Sequence, residues 1–69
     1  MDRTERIVRG LIESNLSLED LNILCVMISE CEVYNRKCGY SASAREANII
    51  WNAIFEHCKI NGLYGGQRV

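Results

Sequence analysis

The chain has 69 residues, 48% of them hydrophobic and 25% charged, with a net charge of −1 at pH 7. A chain of this length forms one domain at most, and the composition is typical of a globular protein rather than a disordered one. The near-neutral charge gives no electrostatic reason to expect nucleic acid or an anionic membrane as the main partner. Proline is absent and strand-type alternation is scarce, which favours an all-α fold.

The first predicted helix covers residues 3–14. Asp2 is a candidate N-cap, and Glu5 stands three residues later, where a capping-box acid belongs. Four apolar residues recur at helical spacing and predict one stripe along this helix: Ile7, Val8, Leu11 and Ile12. We therefore expect a short helix that packs by one side.

The second predicted helix covers residues 18–38 and has well-marked ends. Ser17 as N-cap and Asp20 three residues later form a capping box. Gly39 suits the left-handed backbone conformation that ends many helices. The sequence therefore predicts a helix of more than five turns in the middle of the chain.

The third predicted helix covers residues 44–61. Ser43 and Glu46 have the spacing of a capping box, and Ser41 is the alternative N-cap. Gly62 stands where a helix-ending glycine is expected.

Residues 1–62 are predicted to form a single helical domain, and residues 63–69 a flexible tail with two adjacent glycines. The short gap between the second and third helices is typical of an antiparallel helical hairpin. The expected fold is thus a short N-terminal helix followed by a long antiparallel hairpin.

The middle helix is apolar around most of its circumference. Between Leu21 and Ile28 only Asn22 is polar, and a helix of this kind is buried on several sides. The third helix is expected to cover one side and the first helix part of another. We expect a homodimer to bury the rest as a helical bundle. The predicted core or dimer interface consists of Leu21, Leu24, Ile28, Cys31, Trp51, Ile54 and Phe55.

The four cysteines, Cys25, Cys31, Cys38 and Cys58, lack the Cys-x-x-Cys spacing of structural zinc sites. We interpret them as reduced thiols in the helical core and expect no metal or other cofactor. In a hairpin that turns near Tyr40, Cys25 would fall roughly level with Cys58. This pair is the one expected to be close enough for an intrachain disulfide.

Catalysis has little support in the sequence. His57 is the only histidine, and its neighbours Glu56 and Cys58 point to different faces of the helix. Nucleophilic catalysis needs a base within hydrogen-bond reach of the nucleophile, and nothing local to His57 supplies that arrangement. We therefore predict a protein that is not an enzyme.

A DNA-binding regulator is the alternative function. Four side chains of types that read base edges or bind phosphate share one face of the third helix: Arg45, Asn48, Asn52 and Lys59. A helix–turn–helix protein places such a face in the major groove. Interleaved glutamates and the hairpin-like joint near Gly39 argue against this alternative.

The N-terminal stretch "MDRTERIVRG" carries two acids and lacks the apolar core of a signal peptide. No apolar run approaches the ~20 residues that span a bilayer. We therefore expect a cytoplasmic protein with no membrane partner.

The stretch "SNLSLEDLNILCVMISECEVYNRKCGYSASAREANIIWNAIFEHC" resembles the small helical accessory proteins encoded in the early regions of temperate lambdoid bacteriophages. The likeness is one of size and of a helical hairpin that contains several cysteines. It implies a self-associating protein that adjusts the host or the lysis–lysogeny decision through protein contacts, in the host cytoplasm. The expected function is a non-enzymatic regulatory or adaptor protein with a host or phage partner. The resemblance includes no motif from which a functional residue could be assigned.

Overall fold

A computed structural model describes residues 2–62, and these residues form three α-helices. Helix α1 is Arg3–Ile12, α2 is Leu18–Lys37 and α3 is Ser41–Ile60. The predicted all-α class, with a short first helix before a long hairpin, is confirmed. The predicted flexible tail, residues 63–69, lies outside the described residues and stays a prediction.

The first two helices begin where their capping residues predict. The side chain of Asp2 accepts a hydrogen bond from the backbone N–H of Glu5 at 2.8 Å. At the start of α2, Asp20 N–H donates to Ser17 Oγ at 3.1 Å, and Ser17 N–H donates to Asp20 Oδ2 at 3.3 Å. This reciprocal pair is the predicted capping box, and it satisfies two backbone donors that lack intrahelical partners.

The turn between α2 and α3 is tighter than predicted. Gly39 has a φ of +83°, as expected for a helix-ending glycine. The N–H of Tyr40 donates to the carbonyl of Asn35 at 2.8 Å, and the N–H of Gly39 donates to that of Arg36 at 3.2 Å. These two bonds form a Schellman motif, which satisfies the last carbonyls of α2 while reversing the chain.

The predicted start of α3 is wrong because of this turn. The carbonyl of Tyr40 already accepts a hydrogen bond from Ala44 N–H at 3.0 Å, and α3 begins at Ser41 without a side-chain cap. Ser41 and Ser43 therefore lie in the first helical turn instead of before it. Glu46, assigned to a capping box from the sequence, forms an ion pair with Arg3 of α1.

Helices α2 and α3 run antiparallel and bury the core between them. The fully buried cluster consists of Leu21 and Cys25 from α2 with Ile54 and Cys58 from α3. Burial of one such leucine or isoleucine side chain stabilises the fold by about 1.5–3 kcal/mol. The hairpin is thus the principal stabilising unit of the described chain.

Helix α1 packs chiefly on α3 and only marginally contacts α2. The expectation that α1 covers part of a second side of α2 is wrong, because α1 packs on α3 instead. No residue of α1 is fully buried, although Leu11 packs against the hairpin core. The side of α2 that faces away from α3 is therefore left without a helical neighbour within residues 2–62.

Candidate protein-interaction surfaces

The seven predicted core or interface residues fall into three groups. Leu21 and Ile54 are fully buried between α2 and α3. Cys31 is exposed. The others are partly buried: Leu24, Ile28, Trp51 and Phe55. The sequence pattern alone does not separate the side of α2 that faces α3 from the side that faces solvent.

The solvent side of α2 carries an apolar row that we call the outer stripe: Leu24, Met27, Cys31, Tyr34 and Cys38. Its members recur at alternating intervals of three and four residues, the spacing that keeps side chains on one seam of a helix. Leu24 is partly buried and the other four are exposed, with Met27 at 57% and Tyr34 at 64%. Ile23, 57% exposed, widens the stripe.

A second apolar surface is the groove between α1 and α3, with a volume of about 490 Å³. Its floor is formed by Val8 and Ile12 of α1 and by Ile49 and Ala53 of α3. Its rim is mostly acidic and contains Asp2, Glu5, Arg9 and Glu13. We call this feature the α1–α3 groove. The sequence pattern does not predict this groove, because the groove depends on α1 lying along α3.

A polar cluster joins the two long helices near the turn. The carboxylate of Glu32 accepts hydrogen bonds from Trp51 Nε1 at 2.7 Å and from Asn48 Nδ2 at 3.2 Å, and it pairs with Arg36 one turn later. The Trp51 hydrogen bond, followed by that of Arg36, lowers the pKa of Glu32 below its ordinary value. The cluster therefore holds a carboxylate in its charged form between two helices.

Cys25 and Cys58 are both buried and free, and their thiols contact different backbone carbonyls. Cys25 Sγ donates to the carbonyl of Trp51 at 3.2 Å, whereas Cys58 Sγ lies 3.8 Å from the carbonyl of Leu18. Residues 18 and 25 are nearly two helical turns apart, or about 10 Å along the axis. The two thiols therefore have different backbone partners, and neither forms a disulfide.

The burial of these thiols also sets their acidity. Burial raises the pKa of both thiols, and the nearby Cys58 adds to the rise for Cys25. All four cysteines are free, and Cys31 and Cys38 are exposed. The interpretation of the cysteines as core thiols therefore holds for Cys25 and Cys58 and is wrong for the other two.

Most side chains on the candidate DNA-binding face of α3 form contacts with other residues of the chain. Asn48 donates to Glu32, and Asn52 Nδ2 donates to the carbonyl of Asn48 at 2.8 Å. Lys59 pairs with Glu56 at 3.2 Å and lies 5.3 Å from the centre of the Phe55 ring. Arg45 is exposed beside a depression of about 440 Å³. The depression is lined by Arg36, Ser41, Ala42, Arg45 and Asn48.

Within residues 2–62, no three His, Cys, Asp or Glu side chains are grouped so that they could hold a metal ion. His57 is partly buried on α3, and its carbonyl accepts the Asn61 side chain at 2.8 Å. None of the helices described has the length and apolar character needed to cross a membrane.

Comparisons with protein-family models, with curated proteins and with solved structures gave no match. The two apolar surfaces and the charges beside them are therefore the features from which a function is inferred.

Proposed function

We propose that the protein is a non-enzymatic regulatory or adaptor protein that acts through protein–protein contacts as a homodimer. Its partner is a host or phage protein, as the resemblance to phage accessory proteins implies. The observation that carries the proposal is the outer stripe of α2, an apolar seam without a helical neighbour in the described chain.

The free energy gained by burying the outer stripe favours self-association. Leaving one leucine-sized side chain in water forgoes about 1.5–3 kcal/mol relative to burial. Met27 and Tyr34 lie two turns apart on the stripe, with Cys31 between them. A second copy presents the same spacing, so the two stripes can interdigitate as in a two-stranded coiled coil.

The charges of α2 favour an antiparallel arrangement of the two copies. The first turn of α2 is acidic, with Glu19 and Asp20, and its last turn is basic, with Arg36 and Lys37. Antiparallel pairing brings the acidic end of one helix toward the basic end of the other, whereas parallel pairing brings like charges together. The helix dipoles add to this preference.

An antiparallel pair aligned along the outer stripe has Cys31 at its centre. Cys31 lies seven residues after Leu24 and seven before Cys38. The two-fold axis therefore places Cys31 beside Cys31 of the second copy and Cys38 beside Leu24. In a parallel pair, both Cys31 and Cys38 would face their own counterparts.

Cross-linking with a short bifunctional maleimide distinguishes these arrangements. We expect a covalent dimer from the wild-type chain and from Cys38→Ser, and none from Cys31→Ser. Cross-linking of Cys31→Ser through Cys38 would indicate a parallel pair. The absence of any cross-link at concentrations where the mass is that of a dimer would show that the outer stripe is not the interface.

The adaptor role is tested by affinity capture from the cells that produce the protein, with three baits. Wild-type chain and Ile60→Lys, a change at an exposed residue outside both surfaces, should retain the same protein partner. Bait with Ile49→Lys, which places a charge in the α1–α3 groove, should lose it. Capture of the same protein by all three baits would contradict a partner contact at the groove.

The DNA-binding alternative has less support, because three of its four side chains already make contacts within the chain. Its test is binding to random duplex DNA at several salt concentrations. Phosphate-dominated binding weakens steeply as salt rises, because counterions are released. Such binding, abolished by Arg45→Glu, would favour the alternative over the adaptor proposal.

A further inference from the structure

The α1–α3 groove has the dimensions of a docking site for a helix. It is lined by residues from Asp2 to Glu13, so it extends along the whole of α1, about 15 Å at 1.5 Å per residue. Its floor residues are spaced one turn apart on each side, Val8 with Ile12 and Ile49 with Ala53. Two such rows form the floor of a groove that accepts apolar side chains at helical spacing.

The charge of the rim indicates what flanks those apolar side chains. The rim carries three carboxylates, from Asp2, Glu5 and Glu13, and one guanidinium, from Arg9. Within the described residues, Glu5 and Glu13 form no ion pair. A ligand with basic flanks therefore gains attraction along the rim, whereas one with acidic flanks is repelled.

We infer that the α1–α3 groove binds an amphipathic helix of a partner protein, with an apolar face that fits the one-turn apolar rows of α1 and α3 and with Lys or Arg on the flank beside α1. The inference rests on the proposed adaptor function and names the chemistry of its partner. The groove is separate from the outer stripe, so the protein can dimerise through α2 and bind one such helix per chain.

The probes are two synthetic alanine-rich peptides of about 18 residues, long enough to form helix in water. Both carry the same leucine stripe; one has lysine flanks and the other glutamate flanks. Binding of fluorescently labelled peptide to the full chain is measured by anisotropy. We expect the basic peptide to bind at least about tenfold more tightly than the acidic one at low salt, with a smaller difference at high salt.

Matched variants assign the binding to the groove. Ile49→Lys should lower the affinity for the basic peptide at least about tenfold, and Ile60→Lys should leave it unchanged. Glu13→Lys should reduce the preference for the basic peptide. A cation near the end of α1 suits the helix dipole, so this loss is not explained by melting of α1. Circular dichroism of each variant checks that the helices remain.

Several results would overturn the inference. One is equal affinity for the two peptides, and another is unchanged binding by Ile49→Lys. A fall in the assembled mass of Ile49→Lys would show that a second copy fills the groove. Tighter peptide binding by a chain that ends at Gly62 would show that residues 63–69 fill it.

The outcome separates this inference from the proposed function. Met27→Glu disrupts the outer stripe and should leave peptide affinity unchanged. Failure of the peptides to bind a protein that still dimerises removes the groove assignment alone.

Discussion

Trp51 Nε1 donates a hydrogen bond to the carboxylate of Glu32 at 2.7 Å and thereby joins α3 to α2. The glutamate is a residue that a sequence pattern assigns to the solvent face of a helix, yet its side chain is only 14% exposed. Asn48 and Arg36 complete the set of donors around it. The contact fixes the register of the hairpin near its turn, while the apolar cluster fixes it nearer the other end.

The Glu32 cluster predicts a pH dependence of stability. Because the folded-state pKa of Glu32 is lowered, mainly by the Trp51 hydrogen bond, the carboxylate stabilises the fold above its unfolded pKa. That contribution is lost as pH falls through the lowered folded pKa. We expect the urea midpoint of the wild-type chain to fall more between pH 6 and pH 3 than that of Glu32→Gln. Equal falls of the urea midpoint with pH in the two proteins would contradict a stabilising role of the Glu32 carboxylate.

The hairpin core predicts a large cost for truncating Ile54. This side chain is fully buried, so Ile54→Ala should lower the free energy of unfolding by about 2–5 kcal/mol through lost transfer energy and a residual cavity. Ile60 is 79% exposed, and Ile60→Ala should change the free energy of unfolding by less than about 0.5 kcal/mol. Both are measured by urea denaturation in the Met27→Glu background, which is expected to be a single chain, so that unfolding is not linked to dissociation. Equal losses of unfolding free energy in the two variants would show that α3 packs by another face.

The four cysteines should fall into two reactivity classes. In the Met27→Glu chain, Cys31 and Cys38 should react quickly with a maleimide, because both are exposed. Burial and the raised pKa of Cys25 and Cys58 should keep these two unmodified until the chain unfolds. The measurement is intact mass against time, with and without denaturant. Rapid addition of four labels without denaturant would contradict the packing of the hairpin.

Helix α1 should be the least protected part of the described chain. It has no fully buried residue, and its ion pair with α3, Arg3 to Glu46, is exposed and therefore weak. We expect amide hydrogens of α1 to exchange much faster than those in the central turns of α2 and α3. Equal protection across the three helices would mean that α1 opens only with the whole fold. If the basic peptide binds the α1–α3 groove as proposed, it should slow exchange in α1.

The sequence predicted the elements that depend on local chemistry. The capping box of Ser17 and Asp20 and the left-handed Gly39 set the ends of α2, and both signals are contained in a few neighbouring residues. The start of α3 was missed because the Schellman turn lets α3 begin without a side-chain cap. Serines near a helix start indicate a cap only if the preceding turn leaves the chain extended.

The surfaces were harder to predict than the helices. Apolar residues occur around most of the circumference of α2, which indicated that part of this surface would remain uncovered. Periodicity alone did not say which side would face α3. Exposed Cys31 and buried Cys25 illustrate this, since both looked like core residues in the sequence. The α1–α3 groove depends on the path of the chain between helices, which has no local signature. The sequence shows its acidic residues but does not show that they share one rim of the groove.

Sedimentation equilibrium measures whether the outer stripe of α2 joins two copies of the chain, as we propose. Across micromolar concentrations, we expect a mass near twice the 7.9 kDa of one chain for wild type and for Ile60→Glu. We expect the mass of one chain for Met27→Glu, because the new charge would be buried at the seam. A wild-type mass of one chain at all these concentrations, or a Met27→Glu chain that still dimerises, would contradict this proposal.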